Sequence, residues 1–514
     1  MYSTVVSGAF EGIHAYLVAV EADISTGLPA FQMVGSLSCE VRESKERVWA
    51  ALKNVGMNIP PAHITVNLSP ADLKKEGTAF DLPIAVAILE ALEYFPKEAA
   101  KNILFLGELG LNGEVKKVRG VLPIVREAAR QGVKECIVPM ENAAEGAVIS
   151  GVVVRGVRDI GELLKFLREI PSERKKILPV HRVSVKKLFG ERSLRKENDF
   201  AQVSGQESAK RAALIAAAGF HNLLLVGPPG AGKSMIAKRI PGIMPPLTVE
   251  ESLEVTAVAS IAGTLRAEQP LVTERPFQSP HHTISQAALT GGGSMPRPGI
   301  ISLAHRGVLF LDELPEFQRN VLDSMRQPLE EHTVQVARVN ANYSYPADFM
   351  LVCAMNPCPC GYYPDTNLCR CTRQQVKKYM SKVSGPILDR IDLCVELQAV
   401  DICSLHNAEK EDSSEMLRSR VEAARERQKQ RFIGKRYRFN GDIESSDVEK
   451  YCLLGEREQK CMEKLYASLK LSARAYHRIL KVARTIADLA GEDRIREEHL
   501  LEAACYRPAR DYWI

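Results

Sequence analysis

The chain has 514 residues, 45% hydrophobic and 25% charged, with 68 Lys+Arg against 63 Asp+Glu and a net charge of +5. At about 150 residues per domain, this length predicts about three domains of ordinary soluble composition. So small an excess of positive charge argues for neither nucleic acid nor an anionic membrane; only local clusters can do so. No apolar run reaches the roughly 18 residues that a bilayer crossing needs. The longest candidate, Phe80 to Phe95, is broken by Asp81, Pro83, Glu90 and Glu93. The stretch Met1 to Phe10 has no cationic start followed by an apolar core, so no signal peptide is expected and the sequence reads as cytoplasmic. The 12 cysteines are expected as thiols or as a metal cluster, not as a disulfide scaffold.

In chain order, residues 1–165 mix strand and helix. Tyr16 to Ile24 alternates like a strand, and Val41 to Val55 carries Val41, Val48, Leu52 and Val55 at helical spacing. Ile64–Leu68 and Val133–Val138 read as strands, and Phe80–Leu92 as a buried helix. Residues 166–200 form a basic linker; counted from Lys165, the stretch holds 11 Lys/Arg and 5 Asp/Glu. It is either a solvated connection or a tether that also touches a polyanion. Residues 201–400 alternate helices with the apolar strands Leu223–Val226, Val308–Leu311, Phe349–Ala354 and Leu393–Leu397, which predicts an α/β domain with a parallel sheet. Residues 401–514 are expected to be a helical domain. Arg418–Arg438 holds 9 Lys/Arg against 2 Glu, read as an exposed basic helix, and Leu471–Leu489 is the clearest amphipathic element.

The phosphate-binding signal is Gly227-Pro228-Pro229-Gly230-Ala231-Gly232-Lys233-Ser234, placed between an apolar strand and a helical run. That context is what G-x-x-x-x-G-K-[ST] requires. Its glycines let several backbone N–H groups face one point, and the following helix adds its positive end. Lys233 is expected to reach the β- and γ-phosphates of ATP, and Ser234 to hold Mg²⁺. Val308–Leu311 is a second apolar strand ending in Asp312 and Glu313. Asp312 is expected on the metal, and Glu313 as the base that polarises the attacking water.

Cys358, Cys360, Cys369 and Cys371 form two C-x-C pairs joined by a turn-rich stretch. Four thiolates this close can close a tetrahedron around a structural Zn²⁺; four reduced thiols or an iron–sulfur site are the alternatives. His281 and His282 lack a cysteine or carboxylate at ligand spacing and read as structural or loop residues.

The series GPPGAGKS, SPHHTIS, GVLFLDELPEF, AMNPCPCG and GPILDRIDL resembles the magnesium-chelatase-like branch of the AAA+ ATPases. The resemblance implies that Asn356 senses the γ-phosphate, that Arg390 is an arginine finger supplied to a neighbour's ATP, and that Arg474 is the second sensor in a C-terminal α-helical lid. It implies a ring, with a hexamer as the family expectation. Val334–Ser344 resembles the family's hairpin before the sensor strand, with Arg338, Asn340 and Asn342 as pore contacts or as parts of a merely structural hairpin. The N-terminal block, from LPAFQMVG through ITVNLSPADLKKEGTAFDLPIA, resembles the Lon-protease-like α+β domain (ribosomal S5 domain 2-like). There the match puts Ala79 at the serine position and Leu122 at the lysine position, with Thr78 a turn residue, so no protease substrate is expected.

Over nearly its whole length the chain resembles the competence-protein ComM/YifB family. That resemblance implies an ATPase motor acting on branched or single-stranded DNA, a branch-migration helicase or translocase in recombination or natural transformation. The rival readings are a chelatase-type metal-insertion subunit and a protein-remodelling ATPase.

Overall fold

The computed structural model describes residues 1–190, 198–293, 296–338, 341–398 and 412–507. Asn340 lies outside the described residues, as does the side chain of Arg338. The chain divides into two compact units. One is Met1–Arg192 with Val249–Thr273, the other Ser193–Thr248 with Glu274–Ile514. Among the described residues no helix is long and apolar enough to cross a membrane.

The first unit is built on a mixed eight-stranded sheet. Its two long N-terminal strands, Tyr2–Glu11 and His14–Ser25, pair antiparallel from Tyr2↔Asp23 to Glu11↔His14. Strict alternation in the second strand buries Val18, Val20, Ala22 and Ile24 on one face. The helix Asp81–Ala91 is buried at every residue, and apolar but for Asp81 and Glu90, as a helix inside a core must nearly be. Its first residue, Asp81, is paired by Arg47, whose Nε and Nη2 donate to the carboxylate at 2.7 and 2.9 Å.

A helix from the middle of the ATPase-like sequence, Val249–Ala262, belongs to this first unit. It packs against the helix Val121–Arg130. Ser260 donates to Glu145 Oε1 at 2.5 Å, the Gly120 N–H to the Ser260 carbonyl at 3.3 Å, and Lys117 Nζ to the Leu265 carbonyl at 3.0 Å. The same Glu145 oxygen accepts the Leu122 N–H at 2.9 Å. The helix bearing the position matched to the protease lysine is thus tied to this inserted segment.

The second unit holds a five-stranded sheet in the order Phe277–Gln278, Val308–Leu311, Met350–Met355, Leu223–Val226, Leu393–Glu396. All its pairings are parallel. The three central strands are buried throughout, which explains why they read as unbroken apolar runs. The Ala-rich helix Glu207–Gly219 and the lid helix Ala473–Ala490 share the core of this unit. The hairpin Thr333–Arg338 with Ala341–Pro346 precedes the strand Met350–Met355, and Asn342 is a strand residue opposite Ala337.

The stretch 418–438 differs from the expected exposed basic helix. The helix is Ser414–Arg431, and several of its arginines turn inward. Arg418 Nε donates to the Gly242 carbonyl at 2.8 Å, and Arg431 meets the fully buried Asp488 at 2.5 Å. Arg420, Arg427 and Lys429 pair with Asp412, Asp493 and Glu426. Long aliphatic stems let guanidinium groups reach carbonyls across the core edge, so composition overstated the free charge.

Candidate functional site

The P-loop leaves the strand Leu223–Val226 and enters the helix Lys233–Ile243 through Gly232, whose φ of +87° suits glycine and strains other residues. Lys233 Nζ donates to the carbonyls of Gly227 and Pro228 at 2.6 and 2.8 Å and to Asn356 Oδ1 at 3.0 Å. Burial holds its ammonium below the ordinary lysine value, and the charges of Asp312 and Glu313 offset this in part. Ser234 Oγ donates to Asp312 Oδ2 at 2.6 Å. A hydroxyl and a carboxylate side by side are the oxygen donors a hard divalent cation takes, so these residues fit Mg²⁺.

Glu313 follows in the left-handed conformation, φ 52°, its N–H bonded to Asp312 Oδ1 at 3.0 Å. That conformation is sparsely populated for a residue with a side chain. His282 Nδ1 lies 3.4 Å from Glu313 Oε2, and its ring leans against His281, centroids 4.1 Å apart at a 34° tilt, and meets Phe317 edge-on. Glu313, Glu316, Asn356, Tyr379 and Lys382 line one cleft of about 450 Å³. Five expected residues, Lys233, Ser234, Asp312, Glu313 and Asn356, thus converge at the C-terminal edge of the parallel sheet. Ligand crevices of open α/β sheets form at that edge.

Arg390 sits at the other edge. Leu393 pairs with Leu223, the first residue of the P-loop strand, so Arg390 precedes the sheet at its N-terminal end, while Gly227–Ser234 follow it at the C-terminal end. Its Nη1 donates to the Pro386 carbonyl at 2.7 Å, Nη2 contacts Glu330, and its buried Nε has no hydrogen-bond partner. Burial, and then the charges of Arg474, Arg326 and Arg478, lower its pKa. Arg474 therefore lies within electrostatic reach of Arg390. The two expected arginines share a face that is not the P-loop face, a grouping that spacing along the chain could not reveal.

The four cysteines converge. Cys358 Sγ lies 3.3 Å from Cys360 Sγ and 3.8 Å from Cys369 Sγ, Cys360 and Cys369 are 3.5 Å apart, and all four sulfurs lie within 4.8 Å of one another. Zn–S bonds of about 2.3 Å in a tetrahedron put sulfurs about 3.8 Å apart, so this set fits a four-thiolate metal. The Gly361 and Tyr363 N–H groups point at Cys358 Sγ at 3.2 and 3.4 Å, as backbone donors that steady a thiolate do. Gly361, φ +89°, touches the P-loop: a Cβ there would lie 2.5 Å from Pro229 Cδ. The cysteine turn therefore packs directly on the phosphate loop.

In the first unit, Thr78 Oγ1 donates to Glu108, and Leu122 is fully buried. Neither alanine nor leucine supplies a nucleophile or a base at positions 79 and 122.

The fold and the P-loop crevice define a magnesium-chelatase-like AAA+ ATPase. Residues 199–405 match the family described as magnesium chelatase, subunit ChlI; residues 20–142 match subunit ChlI of Mg-chelatase, and 411–507 its C-terminal region. The chain is 43% identical over 504 residues to competence protein ComM of Haemophilus influenzae, covering 98% of this chain and 97% of that one. It is 43% identical to YifB of Salmonella typhimurium, covering 96% and 95%. Partial likenesses are to Lon protease 2 of Bacillus subtilis, 30% over 158 residues (29% and 28%), and to DNA repair protein RadA of Listeria monocytogenes, 31% over 165 (32% and 35%). The chain belongs to the ComM/YifB family of magnesium-chelatase-like AAA+ ATPases.

Proposed function

We propose that this protein is a ring-forming ATP-driven motor on DNA, a branch-migration helicase or translocase serving recombination or natural transformation. The observation that carries the ring is the placement of Arg390. It lies a sheet length from its own P-loop, with a buried donor unpaired, so the pocket it completes is a neighbour's. Arg474, beside it, acts on that same neighbouring pocket. The DNA half of the proposal draws on the relatives, one named for competence and a partial one for DNA repair.

Within a protomer, Lys233 exchanges its carbonyl partners for β- and γ-phosphate oxygens. Ser234 and Asp312 would hold Mg²⁺, which would neutralise phosphate charge. Glu313 orients and deprotonates the attacking water, and Asn356 links the γ-phosphate to the sensor strand. Arg390 of the adjoining protomer offsets charge on the transferred phosphoryl group. The four cysteines would hold a structural Zn²⁺, which would brace the loop between Asn356 and the following helix.

The test is ATP turnover of wild type and Lys233→Ala with and without a four-way DNA junction, with strand exchange scored alongside. Wild type is expected to be stimulated by the junction and to exchange strands. Loss of one preorganised cation is expected to cut turnover at least about 100-fold. A wild type that assembles and hydrolyses ATP yet ignores every DNA form would overturn the DNA reading. Stimulation by a protein substrate would then favour remodelling, and stimulation only by a metal-inserting partner would favour the chelatase reading.

A further inference from the structure

The turn closed by the four cysteines continues into the helix Arg373–Met380, whose start is fixed by a capping box between Thr372 and Gln375. Val376, Tyr379 and Met380 form its buried face. Its outer face and the turn before it carry Arg370, Arg373, Lys377 and Lys378, all exposed. Between Asp365 and Asp389 the sequence has no acidic residue. None of these four cations has a carboxylate partner among the described residues. The cations of the longer basic stretch 418–438 are instead largely tied to carbonyls and carboxylates. Arg373 and Lys377 are one helical turn apart, where like charges repel. An isolated fold gains nothing from that arrangement; an anion laid across the turn makes it favourable. Beside the cations, Tyr362 and Leu368 project from the cysteine turn, 41% and 58% exposed. A ring on a rigid turn next to a row of cations offers both parts of a single-strand site, a stacking platform and a backbone track.

Building on the DNA-motor proposal, we infer that the cysteine turn and the helix behind it form a binding surface for single-stranded DNA, with Arg370, Arg373 and Lys377 on phosphates and Tyr362 on a base. The surface has a direct route to the ATP site. Gly361 of the turn packs on Pro229 of the P-loop, and Tyr379 and Lys378 of the helix line the same cleft as Glu313 and Asn356. A strand seated here presses on the phosphate loop and the sensor together.

The experiment compares full-length wild type with Arg370→Gln/Arg373→Gln/Lys377→Gln in binding a fluorescent thirty-nucleotide oligo(dT), by anisotropy across a salt series. Each lost phosphate contact removes about 0.7 from the slope of log K against log salt, so the triple variant is expected to flatten it by about 2. A 5-iodouracil oligonucleotide is expected to cross-link to the peptide holding Tyr362, and Tyr362→Ala to lose that cross-link. Ring assembly, bound-zinc content and DNA-free ATP turnover of the triple variant are expected to match wild type. If wild type binds DNA while the triple variant keeps its affinity and slope, this surface is wrong and the motor proposal stands. If the variant instead fails to assemble, the cations serve contacts between protomers and the inference falls. If wild type binds no DNA at all, both readings fall.

Discussion

Lys233 and Arg47 are both cations held out of water, yet their surroundings differ in kind. Arg47 meets a carboxylate: Asp81 is fully buried, its pKa raised by burial and then pulled back by Arg47. Lys233 meets only neutral oxygens. A buried cation with no carboxylate in contact is a standing cost to the fold, repaid when an anion arrives. The two residues should therefore respond oppositely to removal. Arg47→Ala leaves Asp81 uncompensated and is expected to cost about 3–5 kcal/mol, read as a lower urea midpoint for the first unit. Lys233→Met keeps the volume, sheds the charge and is expected to cost less than about 1.5 kcal/mol while abolishing ATP binding. A collapse of the second unit in Lys233→Met would show that the lysine is structural. Arg390 stands between the two: its Nη2 meets a carboxylate, Glu330, which is 58% exposed, while its Nε is buried and unpaired.

Between elements, the contacts that matter run across long stretches of chain. Gly361 of the cysteine turn touches Pro229 of the P-loop. Gly361→Ala drives a methyl to 2.5 Å from Pro229 Cδ, a clash that one of the two loops must relieve, and forces a left-handed alanine at a conformational cost of about 1–2 kcal/mol. It is expected to raise the KM for ATP several-fold and to lower the melting temperature measurably. An unaltered KM would show that the turn and the loop move independently. A second junction is Asp348, just before the sensor strand. It contacts Arg306 and Arg438, and His332 at the base of the hairpin lies 3.3 Å away. Asp442 nearby accepts the N–H groups of Arg438 and Phe439 at 3.0 and 2.9 Å. Burial, with the Asp348 charge, pushes Asp442 up from 3.8 to about 6. An acid raised in the folded state favours folding while protonated and loses that advantage as pH climbs through the folded value. Wild type is therefore expected to lose stability relative to Asp442→Asn between pH 3.8 and about 6, seen as converging and then crossing urea midpoints; parallel midpoints would sink it. The P-loop, the apolar sheet strands and the cysteine pairs were legible in the sequence because each is a contiguous pattern. Gly361 on Pro229, His282 on Glu313 and Arg474 beside Arg390 were not, because their partners meet only through the fold. The inserted helix Val249–Ala262 was likewise hidden, since its apolar face says that it packs but not on which unit.

At the scale of the whole molecule, the proposed ring follows from where the parallel sheet puts its two arms. The phosphate loop leaves the C-terminal edge of the parallel strands, and Arg390 enters at the N-terminal edge. A closed ring with head-to-tail contacts joins these two edges at every boundary, because each protomer then offers one of each. This predicts complementation between two inactive proteins. Lys233→Ala spoils the pocket of its own protomer and leaves its finger intact; Arg390→Ala does the reverse. Each alone is expected to be inactive. In rings assembled from an equal mixture, a boundary works only when an Arg390→Ala pocket faces a Lys233→Ala finger. Random mixing makes about one boundary in four of that kind, so turnover should recover to about a quarter of wild type if boundaries fire independently. Recovery well below that share, in rings proven to be mixed, would mean that boundaries fire only in concert. Full activity of Arg390→Ala alone, with the equal mixture at about half of wild type because every Lys233-bearing pocket works, would return the finger to the role of an ion pair with Glu330 and leave the shared pocket without its second wall.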